Sequence, residues 1–426
     1  MVKLVVVGGG WAGCAAALTA SKVGADVSLF ERTDMLLGSG LVGGIFRNNG
    51  RFTAAEEMIA LGCGDLISTM DSLSRHVNID FPGHKHASLY DAAKIEPLTR
   101  RLLKKNGVEI NLQTRISSVE KDGSRIVSVT SDEGLKFNGD VFIDATGTAA
   151  STGNCVRYGN GCAMCIYRCP TFKTRVSITE KVGISDIVGM RSDGTPGVFS
   201  GACKIMKHTL SPSILKDLEE TGVAVIPLPK DLIDEGKLSK KACVQYALPA
   251  YAENIILLDT GFAKLMSPFF PLELLRQIPG FEEARFEDPY AGGVGNSIRF
   301  MAMAPRDNTL KVAGLENLFC AGEKSGLIVG HTEAVASGCL AGYNSVKYAA
   351  GEDELIIPNS IALGDMISFV KEQMKTESGL MSRYTFSGGP YFERMKQLGL
   401  YTTNVNEIRD RVDRAGLTNK LSKSLL

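Results

Sequence analysis

Apolar residues recur along this chain in two rhythms, and each predicts a different element. Short, largely apolar stretches at residues 4–7, 26–30, 108–112, 141–144 and 318–320 read as buried strands of a parallel sheet. Segments rich in Ala, Gly and Ser at 12–21 and 333–348 read as helices that pack closely on a sheet or a cofactor. A mixed apolar face over 52–73, interrupted at Gly62 and Gly64, predicts further helix, as does the stretch from Lys94 to Lys105. Residues 116–131 alternate and turn at Asp122-Gly123, the pattern of a hairpin or meander. Residues 82–87 read as a loop that leaves His84 and His86 in solvent. Over 155–290 the texture changes to short strands between Pro- and Gly-bounded turns, which predicts an inserted domain. Helical spacing returns in 358–426, where Met366, Val370 and Met374 share one face.

The first of these strands is followed by glycines with distinct jobs. Gly8, Gly10 and Gly13 occupy the G-x-G-x-x-G positions between strand 4–7 and helix 12–21. Gly8 permits the turn, Gly10 admits a pyrophosphate to the backbone, and Gly13 lets the helix approach the strand. Strand 26–30 ends at Glu31, where an acidic side chain accepts hydrogen bonds from an adenosine ribose. Strand, glycines, helix, strand and acid in this order predict bound FAD or NAD. Gly38 to Gly44 predicts a glycine-rich loop facing the same cofactor, and Asn48 and Asn49 either line that pocket or form a simple turn.

Three segments together carry a family resemblance: 8–31, Asp144-Ala-Thr-Gly147, and Leu318 to Gly326 with Glu333 to Gly342. They resemble the FAD-contacting segments of the glucose-inhibited division protein A family and of the folate- and FAD-dependent tRNA uracil-5 methyltransferase family. Residues 56–62, 276–286 and 362–364 are similar to further segments of the latter. The resemblance implies an α/β fold with a discontinuous FAD-binding domain of the two-dinucleotide-binding, glutathione-reductase-like type in 1–150 and 295–350. An inserted α+β substrate domain would occupy 151–294 and a helical C-terminal region 351–426. It implies cofactor contacts at Gly8, Gly10, Gly13, Glu31, Arg32, Gly38, Gly44, Ile116, Asp144, Gly147, Gly322, Glu323, Gly330, His331 and Thr332. The helix starting near His331 would aim its positive end at the flavin's pyrimidine edge. The chain departs from the methyltransferases in two places: residues 36–42 contain no cysteine, and 293–300 keep only Asn296 and Arg299 as polar candidates for the reaction cleft.

Charge and cysteine content refine this picture. The 426 residues carry 47 basic and 47 acidic side chains, so no global field draws the protein to nucleic acid or anionic membrane. The tail is locally basic at Arg409, Arg411, Arg414, Lys420 and Lys423. No apolar run has membrane-spanning length, and the expected compartment is the cytoplasm. Of ten cysteines, Cys155, Cys162, Cys165 and Cys169 fall within fifteen residues. This spacing fits a [4Fe-4S] cluster, a redox dithiol at Cys162 and Cys165, a structural zinc, or inert thiols. Cys14, Cys320 and Cys339 lie in small apolar contexts that predict packing. The leading expectation is an FAD-dependent oxidoreductase that passes electrons between flavin, the cysteine cluster and a small-molecule substrate. NAD(P)H or a ferredoxin-like protein is the candidate donor, and a homo-oligomer the candidate assembly. The alternative is folate/FAD-dependent uridine methylation or a related RNA modification; a third class is a flavin-binding sensor whose cysteines gate a partner.

Overall fold

The computed structural model describes residues 1–147, 173–191, 193–195, 198–200, 202–240, 244–267, 270–287 and 297–426. Strands β1 (Lys3–Val7), β2 (Asp26–Phe30), β3 (Glu109–Asn111), β4 (Val141–Asp144) and β5 (Leu318–Cys320) form a five-stranded parallel sheet. Their order is β5-β4-β1-β2-β3, with Leu4 opposite Val141 and Lys3 opposite Asp26. Both faces are covered, which is why the strands are apolar on both sides. Leu4, Val6 and Leu29 enter one core cluster, and Val5, Val7 and Phe30 another.

Helices α1 (Trp11–Lys22), α2 (Gly50–Leu61) and α3 (His331–Ala349) build the first cluster. α1 and α3 cross with their backbones nearly touching. A Cβ on Gly338 or Gly342 would lie 2.3 Å from the carbonyl oxygen of Ala12 or Ala16, so larger residues would push α3 off α1. The opposite face carries an antiparallel sheet of Ile116–Asp122, Arg125–Ser131 and Lys136–Asn138, the meander of the two arrangements that the alternation allows. Its Ile116, Ile126 and Val129 pack against Val5, Val7 and Phe142.

A second core lies in the middle of the chain. Strands Cys203–Ile205, Ala263–Leu265, Asn254–Asp259 and Val223–Pro227 form an antiparallel sheet in that order. Helix Pro212–Thr221, capped by the Ser211 hydroxyl and ended at Gly222 with φ 79°, buries Ile214 and Leu218 in the cluster of Ile205, Leu257, Leu265 and Phe281.

The helix expected over 52–73 is present as α2 and Asp65–Ser72, broken at Gly62 with φ 88°. The tail contains Ala362–Gln373, Gly389–Gln397 and Val405–Arg414, and Met366, Val370 and Met374 are buried. The loop expected over 82–87 is instead a tight turn at Pro82-Gly83 between strands Ser74–Phe81 and His84–Tyr90. His84 is buried, not exposed, because both ring nitrogens find partners. Among the described residues, no helix is long and apolar enough to cross a membrane.

Candidate functional site

A cleft opens beyond the carboxyl ends of β1 and β4, the position where open parallel sheets receive ligands. Its floor is the turn from β1 into α1, where Gly8, Gly10, Trp11 and Ala12 line the space together with Ala145, Thr146 and Gly147. The three motif glycines separate cleanly by geometry. Gly8 has φ 106°, and a Cβ there would lie 2.3 Å from the Ala145 carbonyl oxygen; a Cβ on Gly13 would lie 1.8 Å from the Gly8 carbonyl oxygen. Both are required by the fold, and Gly13 serves helix packing without lining the cleft. Gly10 is different. Its φ of −69° and ψ of −178° suit any residue, and a Cβ there meets nothing within 4 Å.

At the β2 end, Glu31, Arg32, Thr33, Arg115, Ile116 and Arg175 line the cleft. Glu31 is 8% exposed, and its carboxylate accepts the Gly9 amide at 2.9 Å and the Thr33 amide and hydroxyl at 2.9 Å each. A carboxylate offers about four acceptor positions, so one remains for an incoming hydroxyl.

At the α3 end, Gly38, Gly43, Arg51, Lys264, Gly330 and His331 converge. The N-terminus of α3 faces the space through Gly330, His331 and Ala334, with Gly322 and Glu323 nearby. The first-turn amides of a 19-residue helix carry partial positive charge there. His331 Nδ1 lies 3.2 Å from the Tyr90 hydroxyl, which burial keeps protonated by pushing its pKa up. Within loop 38–44, Gly43 lies on these rings: a Cβ there would lie 2.0 Å from His331 Cε1 and 2.4 Å from Tyr90 Oη. Two buried polar atoms in the wall, Trp11 Nε1 and Gln245 Oε1, have no hydrogen-bond partner among the described residues. An open-floored glycine and orphaned polar atoms in one elongated cleft fit a dinucleotide.

Some expected contacts fall elsewhere. Asp144 is fully buried and does not line the cleft; its carboxylate accepts Thr146 Oγ1 at 2.6 Å, the Thr179 amide at 2.9 Å and Thr179 Oγ1 at 2.8 Å. Thr332 is also fully buried, outside the lining, and its hydroxyl has no partner among the described residues. Gly44 lies against Thr260, where a Cβ would come within 2.4 Å of its side chain. Asn48 and Asn49 neither line the cleft nor merely turn the chain. Asn48 Nδ2 donates to His84 Nδ1 at 2.9 Å, and Asn49 Nδ2 donates to the carbonyls of Gly83 and Ser387 at 3.0 and 2.8 Å.

Cys155, Cys162, Cys165, Cys169 and Asn296 lie outside the described residues, and Arg299 is described only as the backbone end of strand Ser297–Arg299, paired with Val198. Among the described residues no group of three or more potential ligands could hold a metal. Cys14, Cys63, Cys203, Cys320 and Cys339 are all buried, and burial pushes the Cys14 and Cys320 thiols up, away from reactivity.

Sequence reasoning missed the walls at the α3 end. Arg51 Nε pairs with Glu333 Oε1 at 2.9 Å, both side chains almost wholly buried, and Glu333 also accepts Thr385 Oγ1 at 2.6 Å and the Phe386 amide at 2.9 Å. Lys264 reaches from the second sheet to the carbonyls of Val42 and Gly43, the latter at 2.6 Å. No local signal marks these residues, since their partners are more than 200 positions away.

The comparisons agree with this geometry. Residues 3–159 match the family profile described as FAD dependent oxidoreductase, and residues 251–353 that of glucose inhibited division protein A. The tRNA uridine 5-carboxymethylaminomethyl modification enzyme MnmG of Desulfotalea psychrophila is 25% identical over 414 residues, covering 84% of this chain and 62% of that protein. The methylenetetrahydrofolate–tRNA-(uracil-5-)-methyltransferase TrmFO of Enterococcus faecalis is 30% identical over 146 residues, 33% of this chain and 29% of that protein. The chain thus spans less than two thirds of the length of both relatives. Aquifex aeolicus GidA shares the fold, with a TM-score of 0.61 at 16% identity over 97% of this chain and 76% of that one. The chain is a relative of the GidA and TrmFO proteins, of the FAD-dependent oxidoreductase kind.

Proposed function

We propose that this chain binds FAD along the cleft and uses it to modify uridine in RNA. Gly10 carries the cofactor half of the reading: neither its backbone angles nor its neighbours require glycine, and it floors the cleft. A ligand lying against the main chain accounts for the missing side chain. The MnmG and TrmFO relatives, both named for tRNA uridine chemistry, support the RNA half over an electron path through Cys155, Cys162, Cys165 and Cys169. The FAD-binding part would comprise 1–150 and 295–350, with the substrate region in 151–294.

FAD would supply hydride or electron-pair transfer at its ring. Glu31 would take a ribose hydroxyl on its remaining acceptor position. The Gly8–Gly10 turn and the first amides of α1 would hold the pyrophosphate. The N-terminus of α3 would favour negative charge on the ring edge beside it, with His331 held in orientation by Tyr90. Lys264 would fix loop 38–44 against the ring. RNA would add a salt-dependent affinity to which the tail's Arg409 and Arg414 contribute.

Purified protein should release FAD on denaturation, and nucleosides from tRNA and rRNA of a strain lacking the gene should lose one uridine modification by mass spectrometry. Protein without flavin affinity would refute the cofactor half; an unchanged nucleoside profile would refute the RNA half.

A further inference from the structure

The carboxamide of Gln245 is the least explained polar group in the cleft. The residue is 4% exposed and lines the space at the α3 end with Arg51, Tyr246, Lys264 and His331. Its Oε1 has no hydrogen-bond partner among the described residues. A buried acceptor without a partner costs stability, so its presence calls for a donor from elsewhere.

The main chain holds Gln245 in place from two sides. Its carbonyl oxygen accepts from His84 Nε2 at 2.9 Å, and His84 is fixed in turn by Asn48 Nδ2 on Nδ1 at 2.9 Å. On the other side a Cβ at Gly388 would lie 2.6 Å from Gln245 Cβ and 2.8 Å from its Cα, so the tail backbone presses directly on the residue. A clamped residue in the cleft wall with a buried, idle acceptor is preorganised for a ligand.

The chemistry of that ligand follows from the group. A carboxamide presents an acceptor oxygen and a donor NH2 side by side in one plane. Its complement is an edge that carries an N–H next to a carbonyl. We propose that Gln245 reads the imide edge of a ring seated at the α3 end, with Oε1 accepting from the ring N–H and Nε2 donating to the neighbouring carbonyl. This rests on the FAD and uridine reading above, in which two rings carry such an edge: the flavin's pyrimidine ring and uracil. Gln245 is thereby a specificity-determining residue for whichever ring occupies that end.

N-methylation of the imide removes the donor and tests the pairing. Wild type and Gln245→Leu would be titrated as apoprotein with FAD and with FAD methylated at the imide nitrogen. The FAD-loaded forms would then be titrated with a short RNA containing uridine or N3-methyluridine. In one of the two pairs wild type should prefer the unmethylated ring roughly 5- to 100-fold, and Gln245→Leu should bring that ratio close to one. Loss of the flavin preference assigns the edge to the cofactor; loss of the uridine preference assigns it to the substrate. Ratios identical in wild type and variant for both pairs overturn the inference while leaving FAD binding intact. Wild type that binds neither flavin overturns the cofactor reading itself. Gln245→Met, which keeps the residue's length without the amide acceptor, gives a second variant if the leucine form is unstable, and its ratio should likewise fall close to one.

Discussion

Adding one methyl group at each motif glycine separates the fold's requirement from the ligand's. At Gly13 the new carbon would sit 1.8 Å from the Gly8 carbonyl oxygen, backbone that cannot yield without moving α1 off β1. Overpacking of this kind costs about 1–3 kcal/mol and occasionally more. At Gly10 the angles are already those of an extended residue and no atom lies within 4 Å, so the fold should barely register the change. Gly10 is the N-cap of α1, where alanine is disfavoured, while the lower chain entropy of alanine acts in the opposite direction; each effect is below about 1 kcal/mol. The apoprotein of Gly10→Ala should therefore melt close to wild type, and Gly13→Ala well below it. Ligand affinity should follow a different rule. A methyl group in the space assigned to the pyrophosphate should weaken FAD by about 2 kcal/mol, roughly 30-fold. Thermal melts of the two apoproteins and a flavin fluorescence titration of Gly10→Ala provide the check. A Gly10→Ala protein that binds FAD as tightly as wild type would remove the main support for the cofactor's position.

Other expectations concern buried polar groups. Burial pushes His84 down to about 3, and its accepting Nδ1 faces the Asn48 amide donor, so an added proton would meet another donor. The unfolded chain takes up that proton near pH 6.5 and the folded one does not; this contribution to stability is present above pH 6.5 and falls as pH drops towards 3. Between pH 7 and 5 the loss is about 2 kcal/mol, and urea unfolding of His84→Gln should show a pH dependence smaller by that amount. Glu333→Gln leaves the Arg51 guanidinium without its buried counterion and should destabilise by about 3–5 kcal/mol; a midpoint shift below 1 kcal/mol would refute this. A thiol reagent applied to native protein should leave Cys14, Cys63, Cys203, Cys320 and Cys339 unlabelled until denaturant is added, as peptide mass mapping would report.

The half of the site nearest β2 was legible because its information is local. Strand, glycine turn, helix and acid fall within 31 consecutive residues, and the structural need for Gly8 and Gly13 follows from their places in the turn. The same short-range reasoning failed at Asp144. An acid at a strand end next to Thr-Gly looks like a cofactor contact, but its carboxylate is taken by Thr179, 35 residues on, in a segment the motif does not include. The loop reading of His84 fails for a similar reason. The Pro-Gly pair does mark a turn, but the ring's partner is a carbonyl 161 positions away, and no pattern within the hairpin announces it. The buried pair of Arg51 and Glu333 spans 282 positions and is equally silent in one sequence.

This division between local and distant information bears on what relatives can teach about the protein. The two profile matches, over 3–159 and 251–353, take in the glycine turn, Glu31, Lys264 and the N-terminus of α3. Gln245 and Tyr246 lie between them and still line the cleft. The matched spans thus contain the glycine turn and the Glu31 carboxylate, whereas the polar wall beside His331 comes partly from residues outside both. A hydrogen-bond acceptor held rigidly in that wall distinguishes one ring edge from another more sharply than apolar contact does, because the wrong ring leaves it buried and unpaired. Differences in substrate between this chain and its relatives should therefore be sought first around residues 244–246, where a single amide decides which edge is accepted.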